Sequence, residues 1–350
     1  MKDQKTLDNP GADSMMPYTF KPNMEIIMSS TRITGIGAAL VDVLINESDA
    51  FLDTLGKAKG GMTYVDDGEQ QEILSKSSQP PVIVPGGAAC NTIIGVGRLG
   101  GKARFIGRRG NDAFGETFES QIIASGVEPC LTVSETPNGK VVSVVTPDAQ
   151  RSMFTNLGAS TETEPAAITP DLFADTAIAV VEGYLLFNPE LMTAAVKAAK
   201  AAGAKIALDL ASFEVVEAAG EILPGLIRDY VDILIANEDE ARAYTGHEDE
   251  EKALDVLSGD VTYAVLKVGS RGSHVWFRNQ VTRIDPVSGK APVDTTGAGD
   301  LWAAGFLYGI ANGLSIQKSG HLGSVCGYEV CQVMGAQIPE TAWERIRQEI

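Results

Sequence analysis

Three histidines and four cysteines in 350 residues leave little material for a metal centre built on imidazole or thiolate. His247, His274 and His321 are scattered, and Cys90, Cys130, Cys326 and Cys331 form neither a CxxC pair nor a zinc-type spacing. The cysteines read as reduced thiols, which points to the cytoplasm. Cations are scarce as well: 28 Lys and Arg face 46 Asp and Glu, a formal charge of −18. Nucleic acid and anionic membrane surfaces both require clustered positive charge, so neither is expected as a partner. Any phosphate held by this chain must be met locally, by backbone N–H groups and a few basic side chains. No apolar run approaches the ~20 residues of a membrane span. The polar opening MKDQKTLDNPGADSMM lacks the apolar stretch of a signal peptide, so residues 1–30 read as a leader outside the core, with Met28 an alternative start.

Two nucleotide motifs are also missing. No GxxxxGK[ST] occurs, which excludes a P-loop ATPase at the level of motif. Gly95-Val96-Gly97-Arg98-Leu99-Gly100 spells the dinucleotide pattern, but it closes a helix rather than joining strand to helix. Gly35 and Gly37 do end a strand, yet Leu40 stands where a third glycine is needed, which disfavours a nicotinamide enzyme.

What is present is a globular composition, 44% hydrophobic, with 37 glycines suited to tight turns and to backbone approaching a ligand. Residues 32–38 read as a buried strand, 91–99 as a helix, 103–107 as a strand and 112–123 as a helix with Phe114, Phe118, Ile122 and Ile123 on one face. Beyond Pro170 strand and helix alternate: strands at 177–186, 204–210, 231–236 and 262–269, helices at 189–203 and 238–246. Continuous Val, Ile, Leu and Ala in those strands predicts an α/β fold, doubly wound, with a mostly parallel sheet covered on both faces. Two segments break the rhythm, about 47–81 and 128–158. They read as accessory β-rich pieces that pair in space as a small lid on a domain spanning 31–345.

Four constellations carry chemistry. Asp294-Thr295-Thr296-Gly297-Ala298-Gly299-Asp300 precedes an apolar helix over 301–312, which Gly313 terminates. Residues 297–299 are then a glycine-rich turn at a helix N-terminus, where amides and dipole attract an anion. A carboxylate placed there, Asp300, suits a base that takes the proton of an attacking hydroxyl; an aspartate cap on a glycine turn is the plainer alternative. Pro85-Gly86-Gly87-Ala88-Ala89-Cys90-Asn91 is a second strand-to-helix junction. Asn91 there offers donor and acceptor to a polyol, or merely caps a turn. Asn237-Glu238-Asp239-Glu240 follows a buried strand, where α/β sheets bind ligands and Mg²⁺ takes carboxylates alongside phosphates. Acidic residues in a first helical turn also simply complement the dipole. Lys267-Val268-Gly269-Ser270-Arg271-Gly272 is a turn between strands with two cations nearby.

Taken in order, these four elements resemble the ribokinase-like (PfkB) carbohydrate kinases over residues 32–340, with DTTGAGD the most specific part. Gly86, Gly87, Asn91, Gly100 and Gly110 also fall where that family expects them, whereas Ile93 replaces a small residue. The resemblance implies ATP-dependent phosphoryl transfer to a small-molecule hydroxyl. Asp300 would be the base and Gly297, Ala298 and Gly299 the anion hole. Asp42, Gly86, Gly87 and Asn91 would hold the substrate. Asn237, Lys267, Gly269, Ser270 and Gly272 would line the ATP site, and Glu240 would organise Mg²⁺ through water. Asp294 and Thr296 match a monovalent-cation site, K⁺ where one is used. Within the family, KGGMTYVD (59–66), VTPDAQRSMF (145–154) and VEGYLLF (181–187) resemble bacterial members labelled adenosine kinase. Ala38 and Ala88 depart from residues often found in such enzymes, so a nucleoside and a free sugar (ribose, fructose or a keto-sugar acid) both stand as substrates. Tyr64 and Phe154 either stack on a base or pack the lid. A non-catalytic sugar or nucleoside sensor with this fold would show an eroded DTTGAGD turn, and the turn is intact. Monomer and homodimer are both compatible with the sequence.

Overall fold

The computed structural model describes residues 30–350 except Ala58 and Ala149, so the expected leader and Met28 lie outside the described residues. The first half runs β1 (Arg32–Ile36), β2 (Leu40–Asn46), α1 (Asp49–Leu55), β3 (Met62–Tyr64), α2 (Asp67–Lys76), β4 (Val82–Gly86) and α3 (Ala88–Arg98). It continues with β5 (Ala103–Gly110), α4 (Ala113–Ala124), β6 (Val127–Ser134), β7 (Gly139–Val145) and β8 (Arg151–Asn156). The second half alternates: β9 (Thr176–Glu182), α5 (Pro189–Ala201), β10 (Lys205–Asp209), α6 (Phe213–Ala218), α7 (Leu223–Tyr230) and β11 (Ile233–Asn237). There follow α8 (Glu238–Thr245), α9 (Glu250–Leu257), β12 (Tyr263–Lys267), β13 (Ser273–Phe277) and β14 (Gln280–Ile284). Three helices close the chain, α10 (Ala298–Ala311), α11 (Ile316–Val330) and α12 (Glu340–Ile346).

Local chemistry explains many of these boundaries. Asp112 and Ser212 accept the N3 amides of α4 and α6, and Asp66 closes a capping box with Glu69 at α2. At α5, Asn188 caps and Pro189 takes the first helical position. β9, Thr176–Glu182, is buried along its whole length, as a strand covered on both faces must be.

Nine strands form the large sheet in the order β14-β13-β12-β11-β10-β9-β1-β5-β6. All pairs are parallel except those of β12 with β13 and β13 with β14. Strand order reverses between β1 and β9, so the carboxyl ends of those two strands form the switch point of a doubly wound sheet. One core lies on each face. Phe105, Phe306 and Trp343 belong to the first, and Phe173, Met192 and Leu234 to the second. α10 is buried almost all round, as its composition requires.

A second sheet, β3-β8-β7-β2-β4, stands over the switch point. Its make-up corrects the expected lid segments. Residues 127–134 extend the large sheet by pairing β6 with β5. β2 and β4, outside the expected segments, pair with each other and, through β2, with β7. Residues 47–81 contribute chiefly α1 and α2, whose Phe51, Leu52 and Ile73 pack with Val43, Val142 and Phe154 on the sheet's outer side. Phe154 is therefore 1% exposed, inside that packing and turned from the cavity. Ile93, which replaces the small residue expected there, packs straight onto Gly35, where an added Cβ would meet Ile93 Cγ1 at 2.4 Å. The large residue on the helix is matched by the absence of one on the strand.

Candidate active site

A cavity of about 670 Å³ opens between the two sheets. Its walls include Asp42, Gly87, Asn91, Asn237, Glu240, Lys267 and the whole run Thr295–Asp300. Residues more than 200 positions apart in sequence thus share one space.

Gly297 is the N-cap of α10 at φ 71°, a left-handed conformation that side chains resist. It swings the chain so that the first turn faces the cavity. Ala298 N–H turns back to the Thr295 carbonyl at 3.2 Å. The amides of Gly299 and Asp300 belong to the first turn and have no intrahelical acceptor. Asp300 projects from the same turn, and its Oδ2 accepts from Asn91 Nδ2 at 2.9 Å. Thr92 Oγ1 donates to the Asp300 carbonyl at 3.1 Å, so α3 and α10 are joined at their N-terminal ends. Burial pushes the Asp300 carboxyl up to about 7; Asn91 opposes this, Asp209 adds to it and Lys267 opposes it.

Across the cavity, Asp42 projects from the inner face of β2. Burial raises it to about 6, with Arg151 pulling it back. A Cβ on Gly86 would lie 2.6–2.7 Å from the Asp42 carboxylate, so that glycine makes room for the acid.

The carboxyl ends of the central strands add charge that sequence reading did not single out. Register sets Glu182 beside Asp209 and Asn237 beside Lys267. Glu182, 4% exposed, accepts Ala38 N–H at 2.8 Å and Ala89 N–H at 3.1 Å, which pins the entry to β2 and the start of α3. Lys267 Nζ donates to Asp209 Oδ2 at 2.9 Å and would also sit 2.9 Å from a Cβ on Gly299. Burial works against that ammonium, but Asp209 and Glu240 hold its pKa above the usual lysine value. The signal for Glu182 and Asp209 was present: each is an acid ending an apolar strand, the pattern applied only to Asn237–Glu240.

Glu240 is 2% exposed and closes a capping box. Asn237 Oδ1 accepts the Glu240 amide at 2.9 Å, and the Glu240 carboxylate accepts Asn237 N–H at 2.8 Å and Nδ2–H at 2.6 Å. Burial and then Asp209 push Glu240 up to about 7. Asp294 is buried behind the turn and accepts from Thr296 N–H, Thr296 Oγ1 and Gly335 N–H at 3.0, 2.6 and 2.8 Å. Burial alone would raise its pKa; those donors and Arg151 hold it below the usual range. Gly269, Ser270 and Gly272 lie in the turn between β12 and β13 and do not line the cavity. Arg271 is exposed there and paired with Glu238 and Glu250.

Three carboxylates, Asp209, Glu240 and Asp300, thus surround one ammonium. No group of three or more His, Cys, Asp or Glu among the described residues is arranged to hold a metal alone. A divalent cation arriving with phosphate oxygens and water fits such a donor set, where a caged metal does not.

A doubly wound sheet, a cavity at its switch point and a helix N-terminus aimed into that cavity define a ribokinase-like α/β protein. The chain belongs to the pfkB family of carbohydrate kinases, whose family model matches residues 62–343. Among solved structures, an adenosine kinase from Sinorhizobium meliloti is 32% identical, with TM-score 0.82, covering 91% of this chain and 99% of that one. A probable sugar kinase from Rhizobium etli is 30% identical, with TM-score 0.83, covering 91% and 98%. The fructokinase of Escherichia coli is 29% identical over 266 residues, 71% of this chain and 84% of that protein. The protein is a sugar or nucleoside kinase of this family, and such kinases use ATP.

Proposed function

We propose that this chain transfers the γ-phosphoryl group of ATP, with Mg²⁺, to a hydroxymethyl group of an adenosine-like nucleoside. The observation that carries the reading is the first turn of α10. There a carboxylate and unpaired amides face the same cavity, beside Asn91 and opposite Asp42. Asp300 removes the proton of the attacking hydroxyl as transfer proceeds. The Gly297–Gly299 turn stabilises the developing charge on the transferred group, and Lys267 beside Gly299 adds a cation to it. Asp42, Gly86, Gly87 and Asn91 position the sugar hydroxyls. Asn237 and Glu240 hold Mg²⁺ through water, and the metal neutralises phosphate charge when bound. Gly269, Ser270 and Gly272 border the nucleotide beyond Lys267, and Asp294 with Thr296 anchors a K⁺ next to the turn.

Residues 31–345 form the kinase domain, with the second sheet as the lid that excludes water. The chain's own α1 and α2 cover the lid's outer face, which supports a monomer. The free cysteines and the lack, among described residues, of any helix long and apolar enough to cross a membrane suit a cytoplasmic place.

The nucleoside reading draws on the adenosine kinase of S. meliloti and on an apolar flank to the cavity, formed by Met62, Tyr64, Met153, Leu157 and Phe187. A free sugar is the second reading, favoured by the fructokinase relative. ADP release measured with adenosine, ribose, fructose and a keto-sugar acid separates them. Turnover of adenosine is expected. Turnover of sugars alone would move the assignment to the second reading, and none with any acceptor would remove it.

A further inference from the structure

The chain first crosses from the large sheet to the second sheet at 37–39, between β1 and β2, and returns at Gly87, between β4 and α3. The two crossings touch. A Cβ on Gly87, which sits at φ 96°, would lie 2.7 Å from the Ala38 carbonyl oxygen. One carboxylate from the end of β9 holds both. Glu182 Oε1 accepts Ala38 N–H at 2.8 Å and Oε2 accepts Ala89 N–H at 3.1 Å, so each oxygen serves a different crossing. Gly37 makes room for that group, since a Cβ there would stand 2.5 Å from Glu182 Cδ and Oε2.

The chemistry depends on the helix so held. Ala89 is the second residue of α3, and its amide has no intrahelical acceptor. A carboxylate bonded to it fixes the first turn and complements the helix dipole. Two residues on, Asn91 Nδ2 donates to Asp300 Oδ2 at 2.9 Å, and Thr92 Oγ1 donates to the Asp300 carbonyl at 3.1 Å. Glu182 therefore reaches Asp300 at one remove, through the start of α3.

We infer that Glu182 is a positioning residue of the transfer reaction: it clamps both crossings and thereby holds Asn91 on the base, Asp300. The inference rests on Asp300 being the base, as proposed above, and applies to a nucleoside or a sugar acceptor alike.

Two opposed influences expose the role to a pH measurement. Facing Asp300 are Cys90 and Asn91 of α3, Glu182 of β9, Tyr184 just after it, Asp209 of β10, Glu240 of α8 and Lys267 of β12. After burial, the strongest influence on the Asp300 carboxyl is the Asn91 hydrogen bond, which lowers its pKa; the Glu182 charge, which raises it, is weaker. Releasing Asn91 thus moves the acidic limb of the rate to higher pH, whereas losing the Glu182 charge alone moves it to lower pH.

The test uses the full chain as wild type, Glu182→Gln, Gly37→Ala, Asn91→Leu and the double variant Glu182→Gln/Asn91→Leu. ADP release is followed with adenosine, ribose and fructose. Glu182→Gln keeps the size but turns an NH₂ group against one of the two amides, and Gly37→Ala displaces the carboxylate with its charge intact. Each should lose about 10- to 100-fold in kcat/KM for the acceptor, with KM for ATP within about 3-fold of wild type. In both, the acidic limb near pH 7 should move to higher pH, which a merely loosened fold would not produce. In the Asn91→Leu chain, Glu182→Gln should cost less than about 3-fold more, because the contact it maintains is already gone. Unchanged kcat/KM, a limb that stays or moves to lower pH, or losses that multiply in the double variant would each overturn the assignment. If Glu182→Gln does not fold, the limb and kcat/KM of Gly37→Ala decide. A wild type that turns over no acceptor removes the kinase reading and this inference with it; once the wild type is active, the variants judge Glu182 alone.

Discussion

Replacing Asp300 by asparagine should cost activity and yield stability together, a pairing that a structural aspartate would not give. The carboxyl is carried from an ordinary 3.8 to about 7, mainly by burial, with Asp209 adding to the rise and Asn91 and Lys267 opposing it. Such a displacement corresponds to ~4 kcal/mol favouring the neutral form. Asp300 keeps some solvent contact, which screens part of this and leaves ~1–3 kcal/mol. The sign follows from proton uptake. Between about pH 4 and 7 the native state holds a proton that the unfolded chain has released, so stability falls as pH rises. Above about 7 the penalty is complete. Asparagine carries no charge and retains an oxygen for Asn91 Nδ2. The Asp300→Asn chain should therefore melt ~2–6 °C higher than wild type at pH 8, with the difference shrinking towards pH 4. Turnover should fall about 10²- to 10⁴-fold, since the base is gone while the amides remain. Differential scanning calorimetry at two pH values and an ADP-release assay make both measurements. Near-normal turnover, or a lower melting point at pH 8, refutes the reasoning.

Three further outcomes follow from the same geometry. The acidic limb of kcat/KM should fall below about pH 7 as Asp300 takes up its proton, and steepen below about 6 as Asp42 follows; a rate flat down to pH 5.5 contradicts this. Gly86→Ala sets a Cβ 2.6 Å from Asp42 Cγ. Displacing that acid should raise KM for the acceptor ~10- to 100-fold with little change in melting, read by steady-state kinetics and thermal scans. Lys267→Met strips Asp209 of its partner at 2.9 Å and should cost ~3–5 kcal/mol in urea unfolding at pH 8. Asp209→Asn in the same chain should restore part of that loss, and an unchanged unfolding midpoint in the single variant would argue against the pair.

How much of this was written locally can be seen residue by residue. The left-handed Gly297, the apolar helix behind it and Asp300 in its first turn occupy adjacent positions, so composition and spacing alone announced them. The alternation after Pro170 was equally legible, because a strand buried on both faces and a helix with one apolar stripe each declare themselves within about ten residues. Sheet membership did not. Whether 127–134 joins the large sheet or the lid depends on which strand accepts its backbone hydrogen bonds, and the partner chosen, β5, is no better marked in the sequence than β7. Phe154 suited both stacking on a base and packing the lid, and the direction of β8's alternation decided for packing against α1 and α2, with Thr155 on the cavity side. Glu182 and Asp209 were ordinary strand-end acids until the strand order placed them side by side on the cavity wall, where burial raises the Glu182 carboxyl above its usual pKa. Short-range sterics and periodicity thus set the elements and the anion-facing turn; the charge field and inner surface of the cavity came only from which strands pair with which.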